Sequence, residues 1–120
     1  MKIAFPVMDD KGLNAAIADH FGRAPLYTVV DTETNDISVL QNTGEHFGGQ
    51  HSAPVSLNQS NINVLICKGL GRKAIDLFNQ LKIGVYLTQD ILVKDALNSY
   101  NNNKLSLATE TDGCTEAHHH

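Results

Sequence analysis

Residues 61–86 read NINVLICKGLGRKAIDLFNQLKIGVY, and this stretch predicts a complete strand–helix–strand unit. The β-branched apolar run at 62–67 has the length of a strand, and the apolar run at 83–86 predicts a second one. Between them, apolar residues recur at helical spacings or flank that stripe: Ala74, Ile75, Leu77, Phe78 and Leu81. Two strands joined by a helix over about 25 residues form a βαβ unit, so we expect them to be parallel with a right-handed crossover.

Two glycines, Gly69 and Gly71, stand where the first strand of this unit passes into the helix. That position is the carboxyl edge of a parallel sheet, where open α/β folds usually bind their ligands. The unpaired amides of a helix N-terminus at this edge favour an anion. A glycine pair also serves simply to make a tight turn, so both interpretations stand at this point.

The remaining sequence predicts one α/β domain over residues 1–107, in the order β-β-β-α-β-α-β-α. Lys2–Val7 is an apolar run of strand length. Two β-rich runs, Leu26–Asp31 and Ile37–Gln41, are separated by about five turn residues and predict an antiparallel hairpin.

Two further helices complete this order. Ser52 is expected to cap a short helix that runs to about Gln59. Thr88 is expected to cap the last helix, whose predicted buried stripe comprises Val93, Ala96, Leu97 and Tyr100. Residues 108–120 are predicted to form a flexible polar tail, and its three final histidines resemble the start of a purification tag.

Composition excludes several functional classes. Of the 120 residues, 42% are apolar and 18% charged, which is typical of a globular protein, and the net charge of −4 offers no basic surplus for nucleic acid. No apolar run approaches the ~20 residues of a membrane span. The N-terminus lacks the features of a secretory signal, so a cytoplasmic location is expected. The two cysteines, Cys67 and Cys114, do not make a disulfide framework.

Several short segments occur in a characteristic order: KIAFPV at 2–7, DHFGRA at 19–24, a glycine pair at 48–49, CKGLGRKA at 67–74 and LKIGVY at 81–86. Over residues 1–107, this order and spacing resemble the dinitrogenase iron–molybdenum cofactor biosynthesis family of NifX/NifB-like accessory proteins. The sequence departs from many members at the turn after the central strand. It reads Gly-Leu-Gly-Arg where the family often carries proline or asparagine.

The resemblance implies a ribonuclease H-like α/β fold of three layers, with a mixed five-stranded sheet and helices on both faces. It also implies a non-catalytic protein that binds or carries iron–sulfur or iron–molybdenum cluster precursors. Its partners would be metallocluster donor or acceptor proteins, with no nucleic acid and no membrane. The fold name brings no nuclease activity, because two-metal nucleases need converging carboxylates and the middle of the first strand is apolar.

Four residues are candidate ligands for the metal of such a cluster, because thiolate and imidazole suit iron–sulfur sites. His46 and His51 lie in the glycine-rich segment 44–51, either as ligands or as solvated loop histidines. Cys67 ends the central strand, either as a ligand or as a small buried core residue. His20 is either a further ligand or a structural residue that bonds the backbone of the next strand.

Basic side chains accumulate near the same predicted edge of the sheet: Arg23, Lys68, Arg72 and Lys73. They would balance an anionic cluster or remain solvated surface charges. Gly69, Gly71, Arg72 and Arg23 form the predicted cofactor-binding set. Cys114 and His118 also have a spacing that suits a metal, but both belong to the polar tail.

The leading hypothesis from the sequence is therefore a metallocluster carrier with no catalytic residues. The alternative is a small-anion or nucleotide-binding regulatory module that uses the glycine turn at the helix start and no metal. A hydrolase of the ribonuclease H-like class is the least favoured hypothesis, because the sequence lacks the necessary carboxylate cluster.

Overall fold

The computed structural model describes residues 1–42 and 53–108, and a mixed sheet lies at its centre. The strands are β1 (Lys2–Val7), β2 (Leu26–Asp31), β3 (Ile37–Gln41), β4 (Val64–Cys67), β5 (Gly84–Leu87) and β6 (Ser106–Leu107). The helices are α1 (Ala53–Gln59), α2 (Arg72–Gln80) and α3 (Val93–Asn101), with short 3-10 turns at Gly12–Asn14 and Phe21–Arg23.

The sheet runs in the order β3-β2-β1-β4-β5-β6. β4 and β5 are adjacent and parallel, with Val64 opposite Gly84, so the predicted βαβ unit is confirmed. β2 and β3 form the predicted antiparallel hairpin, and β2 also pairs antiparallel with β1. β1 pairs parallel with β4, which makes the sheet mixed.

The prediction of five strands is wrong, because residues 1–42 and 53–108 contain six. The sixth strand, β6, pairs antiparallel with β5 through Tyr86 opposite Leu107 and Leu87 opposite Ser106. A two-residue strand is too short to show an alternating pattern in the sequence. Its existence depends on the chain returning from α3 to the exposed edge of β5.

Apolar side chains alternate across the sheet, so that each face has its own core. On one face, α1 and α2 pack against the strands through Ala4, Val29, Leu57, Leu65, Ile75, Phe78 and Val85. On the other face, α3 packs against the strands through Ile3, Phe5, Val30, Ile66, Val93 and Ala96. The expected helices on both faces are therefore observed.

The buried face of α2 is centred about one position away from the predicted stripe. Ile75 and Phe78 are fully buried, whereas Ala74 and Leu81 are half-buried and Leu77 is 39% exposed. The helix ends at Gln80, so Leu81 is already its C-cap residue.

The predicted cap of α3 is wrong, because the helix begins at Val93 after Leu92. The Thr88 hydroxyl instead accepts the Asp90 N–H at 3.0 Å and donates to Asp90 Oδ2 at 2.8 Å. Threonine readily forms such a local turn, which competes with helix capping. Val93 and Ala96 are buried as predicted, and Leu97 and Tyr100 are half-buried.

Three predictions concern residues outside the described ranges: the Ser52 cap, the glycine-rich segment and the polar tail beyond Ala108. Ala108, the first residue of the predicted tail, is instead buried in the core, and its N–H donates to the carbonyl oxygen of Val85 at 2.7 Å. Among residues 1–42 and 53–108, no helix is long and apolar enough to cross a membrane.

Candidate functional site

The strands β1 and β4 separate soon after they pair. Their parallel pairing covers only Ile3 and Ala4 on the β1 side. Beyond this point residues 15–18, here called the inserted segment, lie beside β1, with an antiparallel bridge between Val7 and Ile17. The carboxyl ends of β1 and β4 are therefore not paired with each other.

The inserted segment is also bonded on its other side, to the first residue of α3 and to the residues before it. The Ile17 N–H donates to the carbonyl oxygen of Ile91 at 2.8 Å. The Val93 N–H donates to the carbonyl oxygen of Ala15 at 3.1 Å. Backbone hydrogen bonds on both sides hold this segment in place, which fixes the start of the polar stretch that follows it.

That polar stretch carries two exposed side chains, Asp19 and His20, and then makes the 3-10 turn at Phe21–Arg23. Phe21 is half-buried and anchors the turn to the core. Its ring lies 5.9 Å from that of Tyr27 and 5.8 Å, edge to face, from that of Phe78. Asp19 and His20 are thus held at the surface by an aromatic contact with α2.

Two clefts lie on either side of Asp19 and His20, and both residues line each cleft. The first, here called the apolar cleft, has a volume of about 420 Å³ and is also lined by Met8, Ala16, Ile17, Arg23, Lys68 and Ile91. The second, here called the glycine cleft, has a volume of about 320 Å³ and is also lined by Phe21, Gly22, Gly69, Leu70, Gly71 and Ala74. Both volumes lie in the range of small-molecule sites.

An ion pair joins the two chain segments that border these clefts. Lys68 Nζ lies 3.0 Å from Asp19 Oδ1, although the residues are 49 positions apart in sequence. The Lys68 side chain is 22% exposed, whereas that of Asp19 is 79% exposed. Solvent therefore screens the pair, which links the turn after β4 to the residue that precedes His20.

A double-mutant cycle of Asp19→Asn and Lys68→Met should give a coupling energy of about 0.2–1 kcal/mol, as expected for an exposed pair. Urea melts at low ionic strength measure this coupling, and it should vanish in about 1 M salt because the Debye length then falls to about 3 Å. A salt-independent coupling above about 2 kcal/mol would show that the pair is desolvated and contradict the observed exposure.

The structure brings some of the predicted site residues together. His20, Gly69 and Gly71 all line the glycine cleft, and Arg72 follows Gly71 as the exposed first residue of α2. Arg23 lines the apolar cleft, on the other side of His20. Three of the four predicted cofactor-binding residues therefore lie at or beside one cleft.

Cys67, another predicted ligand, does not line either cleft. Cys67 is 1% exposed and belongs to the core between the sheet and α2. It shares a face of β4 with Leu65, because alternate residues of a strand point to the same side. His46 and His51 lie outside the described residues. Across residues 1–42 and 53–108, no group of three or more His, Cys, Asp or Glu side chains could hold a metal ion.

The sequence did not single out the apolar lining of the first cleft. Met8 and Ile91 are both exposed there, and neither belongs to a regular helix or strand. Met8 could have been recognised from the sequence, because a large apolar residue directly after a strand is unexpected. The position of Ile91 depends on its backbone bond to the inserted segment, which no local pattern predicts.

Shifted pKa values in the described ranges occur away from both clefts. The Glu33 N–H donates to Asp31 Oδ1 at 2.9 Å, and this bond lowers the pKa of the Asp31 carboxyl because it favours the ionised form. Burial raises the pKa of the Tyr100 phenol, and Tyr86 adds to this effect. Both shifts have structural causes, so they do not mark a site.

Comparisons with known proteins agree with this fold. An uncharacterized protein of Methanocaldococcus jannaschii is 30% identical over 111 residues, which covers 88% of this chain and 89% of the relative. An NMR structure of a candidate NifB protein from Thermotoga is 25% identical, with a TM-score of 0.75 and coverage of 88% of this chain and 91% of the other.

The apo form of the orange protein from Desulfovibrio gigas has a similar fold, with a TM-score of 0.74 and 24% identity. This similarity covers 89% of this chain and 92% of the orange protein. The model of the dinitrogenase iron-molybdenum cofactor family matches residues 1–103, which includes every strand except β6. The chain therefore belongs to the dinitrogenase iron-molybdenum cofactor family.

Proposed function

We propose that this protein is a non-catalytic carrier of iron–sulfur or iron–molybdenum cluster precursors. It would receive its cargo from one protein of metallocluster assembly and deliver it to another. Family membership over residues 1–103 supports the class of cargo. The observation that carries the proposal is the position of the His20 imidazole at the glycine cleft, beside the start of α2.

The start of α2 suits an anionic cargo. Gly71 is its N-cap residue and has no side chain to accept the first amides of the helix. The first turn contains the basic residues Arg72 and Lys73 and no acidic residue. The partial positive charge of the α2 N-terminus therefore lies at one edge of the glycine cleft, and two cationic residues follow directly in the first turn of the helix.

The described residues offer few direct ligands to a cluster. Iron–sulfur clusters are typically held by four thiolates, with imidazole as the usual substitute. At the glycine cleft, residues 1–42 and 53–108 offer one imidazole, that of His20, while Cys67 is buried in the core. We infer that the cargo is held largely by its charge. Such weak attachment suits a carrier, because the cargo must also be released.

His46 and His51 are proposed as additional ligands on the evidence of the sequence. The described chain approaches their segment at Asn42, close to the turn that follows His20. The Asn42 side-chain amide donates to the carbonyl oxygen of Ala24 at 2.8 Å, and its N–H donates to that of Pro25 at 3.0 Å. These bonds hold Asn42, the last described residue before the segment, beside the turn that follows His20.

Two other predictions from the sequence are not supported by the comparisons. Classification of the sheet as ribonuclease H-like rests on the resemblance alone. The comparisons give no support to a regulatory module that binds a small anion or a nucleotide without a metal, so the carrier is the function we propose.

The test is anaerobic reconstitution of the purified protein with iron and sulfide, with and without molybdate. Metal analysis and visible absorption measure the cargo retained after desalting. We expect the double variant Arg72→Gln/Lys73→Gln and the variant His20→Ala each to retain less cargo than the parent protein. The matched control is Lys94→Gln/Lys104→Gln, which removes the same charge at exposed positions in and after α3 and should retain as much as the parent.

Two outcomes would contradict the proposal. A protein shortened after Ala108 lacks Cys114 and the final histidines, and it should retain its cargo. If it retains none while the His20→Ala variant retains all, the polar tail is the ligand and the glycine cleft is not the site. If the full-length protein takes up neither iron, sulfide nor molybdenum, the chain is not a carrier.

A further inference from the structure

The apolar cleft has one wall of large hydrophobic side chains that remain open to solvent. Ile91 is 65% exposed and Met8 is 53% exposed, and both stand next to the buried Ile17. Exposed apolar groups gathered at a concave site indicate a ligand with an apolar part. Neither the glycine turn nor the α2 N-terminus lines this cleft, so the proposed cargo site does not account for it.

This wall is preformed by the backbone. The inserted segment carries Ile17, and it is bonded both to β1 and to Ile91, whose carbonyl oxygen accepts the Ile17 N–H at 2.8 Å. The Met8 N–H donates to the carbonyl oxygen of Ala16 at 3.0 Å. Because these bonds already fix the chain segments that carry the apolar residues, little conformational entropy would be lost when a ligand binds.

The same cleft also carries a positive charge. Lys68 and Asp19 neutralise each other through their ion pair, which leaves the charge of Arg23. Arg23 is exposed, and no carboxylate in residues 1–42 or 53–108 pairs with it. A guanidinium is always charged and binds a carboxylate through two parallel hydrogen bonds. A local positive charge also contrasts with the net charge of −4 of the whole chain.

We infer that the apolar cleft binds a small organic anion that has a carboxylate and a short aliphatic chain. The carboxylate pairs with Arg23, and the aliphatic chain lies along Met8, Ile17 and Ile91. The volume of about 420 Å³ accommodates a ligand of this size. This binding needs no metal, so it is a second ligand site that goes beyond the proposed carriage of clusters.

The test is an NMR titration of the full-length, metal-free protein with octanoate, hexanoate and butyrate, observed at the methyl groups of Met8 and Ile91. We expect saturable shifts with octanoate at millimolar concentrations. Each methylene removed from the ligand should raise the dissociation constant by about fourfold, which corresponds to about 0.8 kcal/mol per buried methylene. The neutral probe 1-octanol, which lacks the carboxylate, should bind at least about tenfold more weakly.

Two pairs of variants locate the two halves of the ligand. Arg23→Gln should weaken octanoate binding by about tenfold and leave 1-octanol unaffected, whereas the control Lys94→Gln should change neither. Ile91→Ser should weaken both probes by several-fold, whereas Val39→Ser, at an exposed apolar position on β3, should change neither.

The inference is overturned if octanoate gives no saturable shift at Met8 or Ile91. It is also overturned if Arg23→Gln and Lys94→Gln have the same effect, or if 1-octanol binds as well as octanoate. The latter result would show an apolar surface with no anion site. Because no metal is present, none of these outcomes bears on cluster carriage.

Discussion

Phe78→Ala is expected to lower the free energy of unfolding by about 3–5 kcal/mol, the usual cost of removing a buried phenylalanine ring. Phe78 is fully buried where α2 meets the sheet, within the same core as Ile75 and Leu65. Its ring also packs edge to face on Phe21 at 5.8 Å. A small domain has a total stability of about 5–15 kcal/mol, so this loss would remove a large part of it.

Urea denaturation followed by circular dichroism measures the change. The control is Leu77→Ala on the same helix, where the side chain is 39% exposed and the loss should be about 1 kcal/mol or less. A larger loss from Leu77→Ala than from Phe78→Ala would mean that the face of α2 carrying Leu77 is buried in place of the face carrying Phe78.

Phe21→Ala is expected to have the second largest effect, a loss of about 2 kcal/mol, because the ring is half-buried and each of its two aromatic contacts contributes about 0.5–1.5 kcal/mol. This ring is also the anchor of the turn that separates the two clefts. Its removal should release Asp19 and His20 from their positions. We therefore expect weaker binding at both clefts, in addition to the lower stability.

Phe21→Leu separates these two consequences. Leucine retains apolar volume and should recover most of the stability, but it lacks the edge-to-face contact with Phe78. Urea melts measure the stability, and the octanoate titration and iron retention measure the two clefts. Unchanged binding at both clefts in Phe21→Ala would show that the backbone of the inserted segment positions His20 without help from the ring.

The two clefts differ in the chemical groups that they present to a ligand. The glycine cleft lies at the N-terminus of α2, which Arg72 and Lys73 follow, and the apolar cleft is lined by exposed apolar side chains and by Arg23. His20 lies between them and lines both. An anionic ligand in one cleft would therefore alter the charge near the other, which provides a direct reason to measure iron retention with octanoate present.

The sequence by itself determined the regular elements wherever local spacing was enough. The strand, helix and strand within 61–86 followed from apolar periodicity, and the hairpin followed from two β-rich runs around a polar turn. Elements without a periodic pattern do not follow from local spacing. β6 has two residues, and Thr88 forms a local turn with Asp90 where a helix cap was equally compatible with the sequence.

In the candidate site too, some features follow from the sequence and others only from the tertiary structure. The sequence placed Gly69 and Gly71 at the carboxyl edge of the sheet, because a glycine-containing turn after a strand lies there in any βαβ unit. Only the tertiary structure decided that Cys67 is buried in the core and does not open into a cleft, because its burial depends on how α2 packs against the end of β4. It also decided that Asp19 meets Lys68 and that Ile17 bonds to Ile91. These pairs are far apart in the chain, and they meet because the inserted segment must satisfy its backbone hydrogen bonds beside β1.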